Sequence, residues 1–146
     1  MFGRQDDYQP IPNVTSVVVP PTVTTIEDSC FAGLSTLSKI VLSDEIKTLN
    51  TAVFCGCNNL VDVTLPASLE EIEDSAFRKC CRLKRIDIPS SVKEIGDFAF
   101  SRCCRLDYVG VPSTVEYIGE DAFKGVPHIT YHGNLPGAPW GAQSMN

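Results

Sequence analysis

The chain has 146 residues, of which 43% are hydrophobic and 21% are charged, and its formal net charge is −6. This composition is typical of one folded globular domain, and no apolar run is long enough to form a membrane helix. Nucleic acid and anionic membrane surfaces are disfavoured as partners, because both require a basic protein surface.

The first 13 residues are polar and contain Pro10 and Pro12. They predict a polar tail or a partial N-terminal cap rather than a repeat. The opening stretch around Met1 and Arg4 lacks the apolar region of a signal peptide. We therefore expect a cytoplasmic protein as the chain stands, or a surface or secreted protein if the chain is a processed fragment.

Residues 14–131 contain five copies of a 23-residue unit. The most regular position of the unit is a Phe that recurs every 23 residues, at Phe31, Phe54, Phe77, Phe100 and Phe123. Other apolar positions keep the same register, including one that lies six residues after each Phe: Leu37, Leu60, Leu83, Leu106 and Ile129. Agreement at so many positions indicates a repeat protein, in which each copy buries its apolar side chains against its neighbours.

Within each unit, two apolar positions alternate with polar ones, as in Ile86-Asp87-Ile88. This period of two predicts a short strand with one buried face. Pro follows in four copies and ends the strand, because it has no N–H for the ladder, while Ser43 replaces it in the remaining copy. The segment leading to each Phe is too short for a standard helix, so we expect a turn, a second short extended piece and a single helical or 3₁₀ turn.

The run from Leu83 to Cys103 reads Leu-x-x-Ile-x-Ile-Pro-x-x-Val-x-x-Ile-Gly-x-x-Ala-Phe-x-x-Cys. It resembles the BspA-type leucine-rich repeat family, and the resemblance covers about residues 14 to 131. It implies a right-handed leucine-rich-repeat solenoid, rich in short parallel strands, with a sheet on its concave face. It also implies a surface or secreted protein, since members of the family commonly act in adhesion at microbial surfaces. Ser43, Glu27, Asn50 and Glu73 depart from the family's Pro and Gly positions.

Residues 132–146 are rich in Gly and Pro and carry the only Trp, at position 140. They predict an irregular C-terminal cap, with Trp140 as a lid over the last repeat. At the other end, the strand around Val17–Val19 is predicted to leave an open edge, and such edges favour pairing with another chain.

Seven cysteines are present, and Cys57, Cys80 and Cys103 share the position three residues after the Phe. Leu34 and Val126 occupy this position in the outer copies, which predicts a buried column. Zinc binding and disulfides between stacked copies are the alternatives. Cys81 and Cys104 are predicted to be the more exposed thiols. We expect no metal, no cofactor and no enzyme activity, since no catalytic motif is found.

Side chains between the buried strand positions should point outward and form rows along the concave face. The predicted partner-binding residues on this face are Lys39, Val41, Asp62, Thr64, Arg85, Asp87, Tyr108 and Tyr131. The two tyrosines are the candidate anchors, because aromatic residues are enriched at binding hot spots. We therefore predict a protein-interaction module of adhesion or scaffold type with a protein partner. The alternative is a structural array that forms homo-oligomers through its open N-terminal edge.

Overall fold

The computed structural model describes residues 14–146, and the predicted polar tail of residues 1–13 lies outside this part. Each 23-residue copy forms one coil of a solenoid. Ten short strands occur: β1 (Ser16–Val18), β2 (Lys39–Val41), β3 (Thr48–Leu49), β4 (Asp62–Thr64), β5 (Glu71–Ile72), β6 (Arg85–Asp87), β7 (Glu94–Ile95), β8 (Tyr108–Val111), β9 (Tyr117–Ile118) and β10 (Thr130–Tyr131). Residues 14–146 contain no helix.

Six strands, namely the five longer ones and β10, form one side of the solenoid, which we call the front sheet. It consists of two hydrogen-bonded blocks, β1-β2-β4 and β10-β8-β6, and β4 lies beside β6 between them. Every pairing is parallel, and residues 23 apart are opposite each other, as in Lys39 and Asp62, except where β10 pairs with β8. Four of the two-residue strands form a second parallel sheet in the order β3-β5-β7-β9, which we call the side sheet. The predicted second extended piece is therefore present in four coils.

The third side of each coil, which we call the turn side, extends from two residues before the Phe to five residues after it. Its backbone amides alternate between two kinds of hydrogen bond. One amide donates to a carbonyl of its own coil, and the next donates to a carbonyl of the following coil. Arg78 N donates to Ser75 O at 3.1 Å, and Phe77 N donates to Ala99 O at 2.7 Å. This alternation gives single turns, as predicted, and prevents them from continuing into a helix, because every second amide is used between coils.

The core is a column of stacked side chains. Phe54, Phe77, Phe100 and Phe123 are fully buried. Their ring centroids lie 5.2–5.4 Å apart, and Phe31 extends the stack at 5.8 Å. Aromatic rings at this separation contribute stacking energy in addition to the free energy of burial. Each copy thus buries its Phe against the Phe of a neighbouring copy, which confirms the predicted burial of apolar side chains between copies.

Two departures from the repeat have local explanations. Ser43, at the Pro position, is buried, and its hydroxyl accepts a hydrogen bond from Glu45 N at 3.0 Å, so it supports the turn after β2. Glu73, at the Gly position, uses its carboxylate to accept a bond from Thr51 N of the preceding coil at 3.0 Å.

The C-terminal segment covers the last coil. The Trp140 ring is buried, lies 6.5 Å from Phe123 and meets Tyr131 edge-on at 5.0 Å. Ile129 forms a parallel bridge with Met145, which adds a further segment beside β10. The predicted role of Trp140 as a lid is confirmed.

The prediction that Tyr131 points outward beside Tyr108 is wrong. Tyr131 is only 4% exposed and pairs with Val111, so β10 is offset by three residues from the regular register. In the regular register, His132 would enter the buried column of Val109 and lose its hydration. An odd offset reverses which side chains face inward, and it places Tyr131 in the core instead.

Candidate interaction surface

The front sheet brings seven of the eight predicted residues onto one outward face: Lys39, Val41, Asp62, Thr64, Arg85, Asp87 and Tyr108. The alternation of strand side chains is the cause, since Ile40, Val63, Ile86 and Val109 between them point into the core. Tyr131 is not part of this face. Seven outward side chains therefore lie in register across four adjacent strands.

One end of the face carries an ion pair between neighbouring coils. Lys39 Nζ lies 3.9 Å from Asp62 Oδ2, and both side chains are more than half exposed. Exposed pairs of this kind are worth only about 0–1 kcal/mol, so this pair contributes little to stability. Both groups can therefore exchange this contact for one with a partner.

The other end of the face is organised around Arg85. Its guanidinium carbon lies 4.3 Å from the centroid of the Tyr108 ring, and its Nε lies 3.7 Å from Asp87 Oδ2. Tyr108 itself is 46% exposed. A guanidinium held over an aromatic face is partly pre-oriented, which lowers the entropy lost on binding.

Apolar residues extend the face towards the first coil. Val18 on β1 is 69% exposed, and Val41 on β2 is 39% exposed. Val18 lies beside Val41 in the pairing of β1 with β2. The predicted set did not include Val18, although the alternation in Val17-Val18-Val19 places it on the same outward row.

The cysteine column is buried, as predicted. The thiols of Cys57, Cys80 and Cys103 donate to the carbonyl oxygens of Phe31, Phe54 and Phe77 at 3.1–3.2 Å. Each donor and acceptor pair lies in adjacent coils, so the thiols tie neighbouring turns together. Burial raises the pKa of Cys57 to about 11 and raises the pKa values of Cys80 and Cys103 as well. These groups are neutral thiols at pH 7, which is the form that a buried structural cysteine takes.

The remaining cysteines are more accessible, and all seven are free thiols. Cys104 and Cys30 are exposed, whereas Cys81 is half-buried. Cys30 precedes the first Phe, at a position that is buried in every later coil; in the described residues, no earlier coil covers it. Burial and the neighbouring Cys104 raise the pKa of the Cys81 thiol.

Acidic side chains gather on the side sheet, a feature that the predicted set did not include. Glu71 and Glu94 are paired neighbours on β5 and β7, and Glu73 lies beside them. Partial burial and the charges of Glu94, Glu73 and Glu70 raise the pKa of Glu71. The outward position in Glu71-Ile72 and Glu94-Ile95 is the sequence signal for this row. Within residues 14–146, no group of three or more His, Cys, Asp or Glu side chains is arranged to hold a metal ion.

No helix among the described residues is long and apolar enough to cross a membrane.

Comparison with known proteins gives one clear family assignment. The model of the BspA type leucine rich repeat region matches residues 5–130 in six copies. No curated protein gives a significant sequence match.

Solved structures of the same type are similar to the chain. A Leucine Rich Repeat protein from T. pallidum is 26% identical with a TM-score of 0.76, over 89% of this chain and 68% of that one. A leucine-rich repeat protein from Bacteroides ovatus ATCC 8483 is 24% identical with a TM-score of 0.75, over 94% of this chain and 40% of that one. A leucine rich cell surface protein from Faecalibacterium prausnitzii A2-165 is 25% identical with a TM-score of 0.59, over 82% of this chain and 39% of that one. The chain thus spans less than half of the last two relatives.

Proposed function

Since the chain belongs to the BspA-type leucine-rich repeat family, we propose that it is a non-catalytic protein-interaction module that binds a protein partner through its front sheet. Repeat solenoids of this kind commonly present an extended binding surface on stacked strands. The family fold is generally non-enzymatic, which agrees with this role. An adhesion or scaffold function, at a cell surface if the chain is a processed fragment, is part of the same proposal.

The observation that carries the proposal is the outward row of the front sheet. It combines a half-exposed aromatic ring, a guanidinium stacked on that ring and exposed valines, with charges of both signs around them. Interfaces enrich Tyr and Arg as anchors, and surrounding polar groups supply specificity. Packing of the core does not require any particular residue type at these positions, because the side chains point away from the core.

The test compares affinity capture by three forms of the protein. The first is the wild type, and the second carries Lys39→Ala, Arg85→Ala and Tyr108→Ala on the front sheet. The third is a matched control that also loses two cations and one exposed tyrosine, through Lys47→Ala, Lys93→Ala and Tyr117→Ala. Equal melting temperatures of the three forms would establish that all are folded.

We expect specific binding proteins to be retained by the wild type and the control and lost by the front-sheet variant. The same proteins retained in equal amounts by all three forms would contradict the proposal, because the front-sheet anchors would then be irrelevant.

The second candidate function is self-association through the first coil. An apolar groove lined by Val17, Val18, Val23, Ile26 and Phe31 lies at this end of the described residues. A second copy could bury this groove and pair with the outer edge of β1. Light scattering after size-exclusion chromatography measures the mass directly. A concentration-dependent dimer that Val18→Asp abolishes would support this candidate, and a monomer at all concentrations would refute it.

A further inference from the structure

One position on the turn side changes its residue type in the middle of the solenoid. Two residues after each Phe, the backbone has a positive φ in all five coils. The first, second and fifth coils have Gly33 (φ 75°), Gly56 (φ 77°) and Gly125 (φ 82°) at this position. The third and fourth coils have Lys79 and Arg102 instead, both with φ of 64°.

Glycine is used at this position because of the backbone angle and not because of space. A Cβ added to Gly33 would meet nothing within 4 Å, and one added to Gly56 or Gly125 would meet nothing closer than 3.5 Å. A left-handed φ disfavours any residue with a Cβ relative to Gly. The fold does accept side chains in this conformation, as at Ser75 and Phe98, so the cost is tolerated. Lys79 and Arg102 nevertheless carry a cost that the other three coils avoid.

The same two coils carry a second pair of cations three residues further on. Arg82 and Arg105 are exposed, as are Lys79 and Arg102. The corresponding residues of the other coils are neither Lys nor Arg: Thr36, Asn59 and His128. We call Lys79, Arg82, Arg102 and Arg105 the cation block.

The cation block is compact, and none of its four side chains forms an ion pair with another described residue. Lys79 N donates to Ser101 O at 2.8 Å, and this inter-coil bond keeps the third and fourth coils in contact. Stacked coils are about 4.8 Å apart, so four positive charges share a small area. Within residues 14–146 none of the four forms an ion pair, which is also true of Arg78, Lys84 and Lys93, whereas Lys39, Lys47, Arg85 and Lys124 each form one. Neighbouring like charges repel each other, and a bound anionic group would relieve this repulsion.

We propose that the cation block is a second interaction surface, which binds a short acidic segment of a polypeptide. Arginine guanidinium groups bind carboxylates in a bidentate geometry, and three of the four cations are arginines. This surface lies on the turn side and is distinct from the front sheet. It therefore extends the proposed function to a partner that contacts two sides of the solenoid.

A polypeptide fits the block better than a nucleic acid does. Double-stranded DNA carries one charge per about 1.7 Å and would extend far beyond two coils. The chain as a whole has a net charge of −6, and Asp107 and Glu120 are exposed in the coils that carry or follow the block. A long polyanion would meet these carboxylates, whereas a segment with two to four carboxylates would contact the cations alone.

The experiment measures binding of a fluorescein-labelled tetraglutamate peptide by fluorescence anisotropy at low salt. The wild type is compared with Arg82→Gln/Arg105→Gln and with the control Lys47→Gln/Lys93→Gln, which changes the net charge equally. We expect the block variant to bind about tenfold more weakly and the control to bind within about twofold of the wild type. Raising the salt concentration should weaken wild-type binding, because screening shortens the range of charge interactions.

A second variant separates binding from folding. Lys79→Gly/Arg102→Gly restores the residue that the other coils use, so we expect an unchanged or higher melting temperature together with weaker peptide binding. Equal affinity of the wild type and both block variants, or no binding by the wild type, would overturn the proposal. Tighter binding of single-stranded oligo-dT than of tetraglutamate, lost in the block variants, would overturn the choice of a polypeptide.

Discussion

The rings of Phe77 and Phe100 lie face to face, with centroids 5.2 Å apart and planes inclined by only 8°. Each ring also contacts the Phe of its other neighbouring coil, so the stack passes through the whole repeat region. Because each coil buries its Phe only against its neighbours, the stability of the array depends on these contacts between coils.

Truncation of an inner ring should therefore destabilise the array strongly. We expect Phe77→Ala to lower the free energy of unfolding by about 3–5 kcal/mol, since it removes a fully buried ring and leaves a cavity. Phe31→Ala is the comparison, because Phe31 is only partly buried and stacks on one ring. Urea titration followed by circular dichroism measures both. A loss for Phe31→Ala as large as that for Phe77→Ala would contradict the dependence on two neighbours.

The packing of the coils at Gly96 should not tolerate a side chain. A Cβ at this position would lie 2.6 Å from the backbone nitrogen of Asp74 in the preceding coil. We expect Gly96→Ala to cost about 1–3 kcal/mol, because the coils must move apart to accept the methyl group. Gly110→Ala is the control, since the nearest atom there is the Tyr108 hydroxyl at 3.7 Å. Equal melting temperatures of the two variants would show that the coils do not pack as described.

The reactivity of the cysteines should follow their position in the coil. Alkylation requires an accessible thiolate, and burial raises the pKa values of Cys80 and Cys103. We expect maleimide to label the exposed Cys104 and Cys30 first, the half-buried Cys81 next, and Cys80 and Cys103 only on unfolding. Mass spectrometry of peptides from a time course gives the order. Early labelling of Cys103 in the folded protein would refute it.

The acidic row of the side sheet should make stability depend on pH. The pKa of Glu71 is raised above its ordinary value of 4.5, mainly by partial burial and then by Glu94, so the folded state binds the proton more tightly than the unfolded state does. This tighter proton binding stabilises the folded state. The stabilisation is fully present below the ordinary pKa of a glutamate and is lost as the pH rises through the raised pKa of Glu71.

We therefore expect Glu71→Gln to melt at a higher temperature than the wild type at neutral pH, with a difference that shrinks as the pH approaches the ordinary pKa of a glutamate. Asp28→Asn, which removes one exposed carboxylate from the first coil, is the control. Thermal melts over this pH range measure the effect. A Glu71→Gln variant that melts below the wild type at neutral pH would contradict the assigned repulsion.

The repeat was predictable because its signal is local and periodic. A Phe every 23 residues, flanked by alternating apolar and polar strand positions, indicates which side chains face inward without knowledge of any contact. The same reasoning correctly placed Cys57, Cys80 and Cys103 in the core, since Leu34 and Val126 share their position.

Tyr131 shows where periodic reasoning fails. The 23-residue spacing places it beside Tyr108, but within residues 14–146 no further coil follows this strand to enforce that register. The last strand instead adopts the offset that buries Tyr131 against Trp140 and leaves His132 exposed. The free energy of covering the last coil therefore outweighs the regularity of the repeat.

The sequence by itself determined the coil, its period and its buried columns, because burial follows from the spacing of apolar residues along the chain. Only the tertiary structure decided which outward side chains meet, such as Arg85 over Tyr108, and which coils place cations at a left-handed position. These features depend on register between coils and on backbone angles. Neither quantity is encoded in the period of the hydrophobic pattern, and both candidate binding surfaces rest on them.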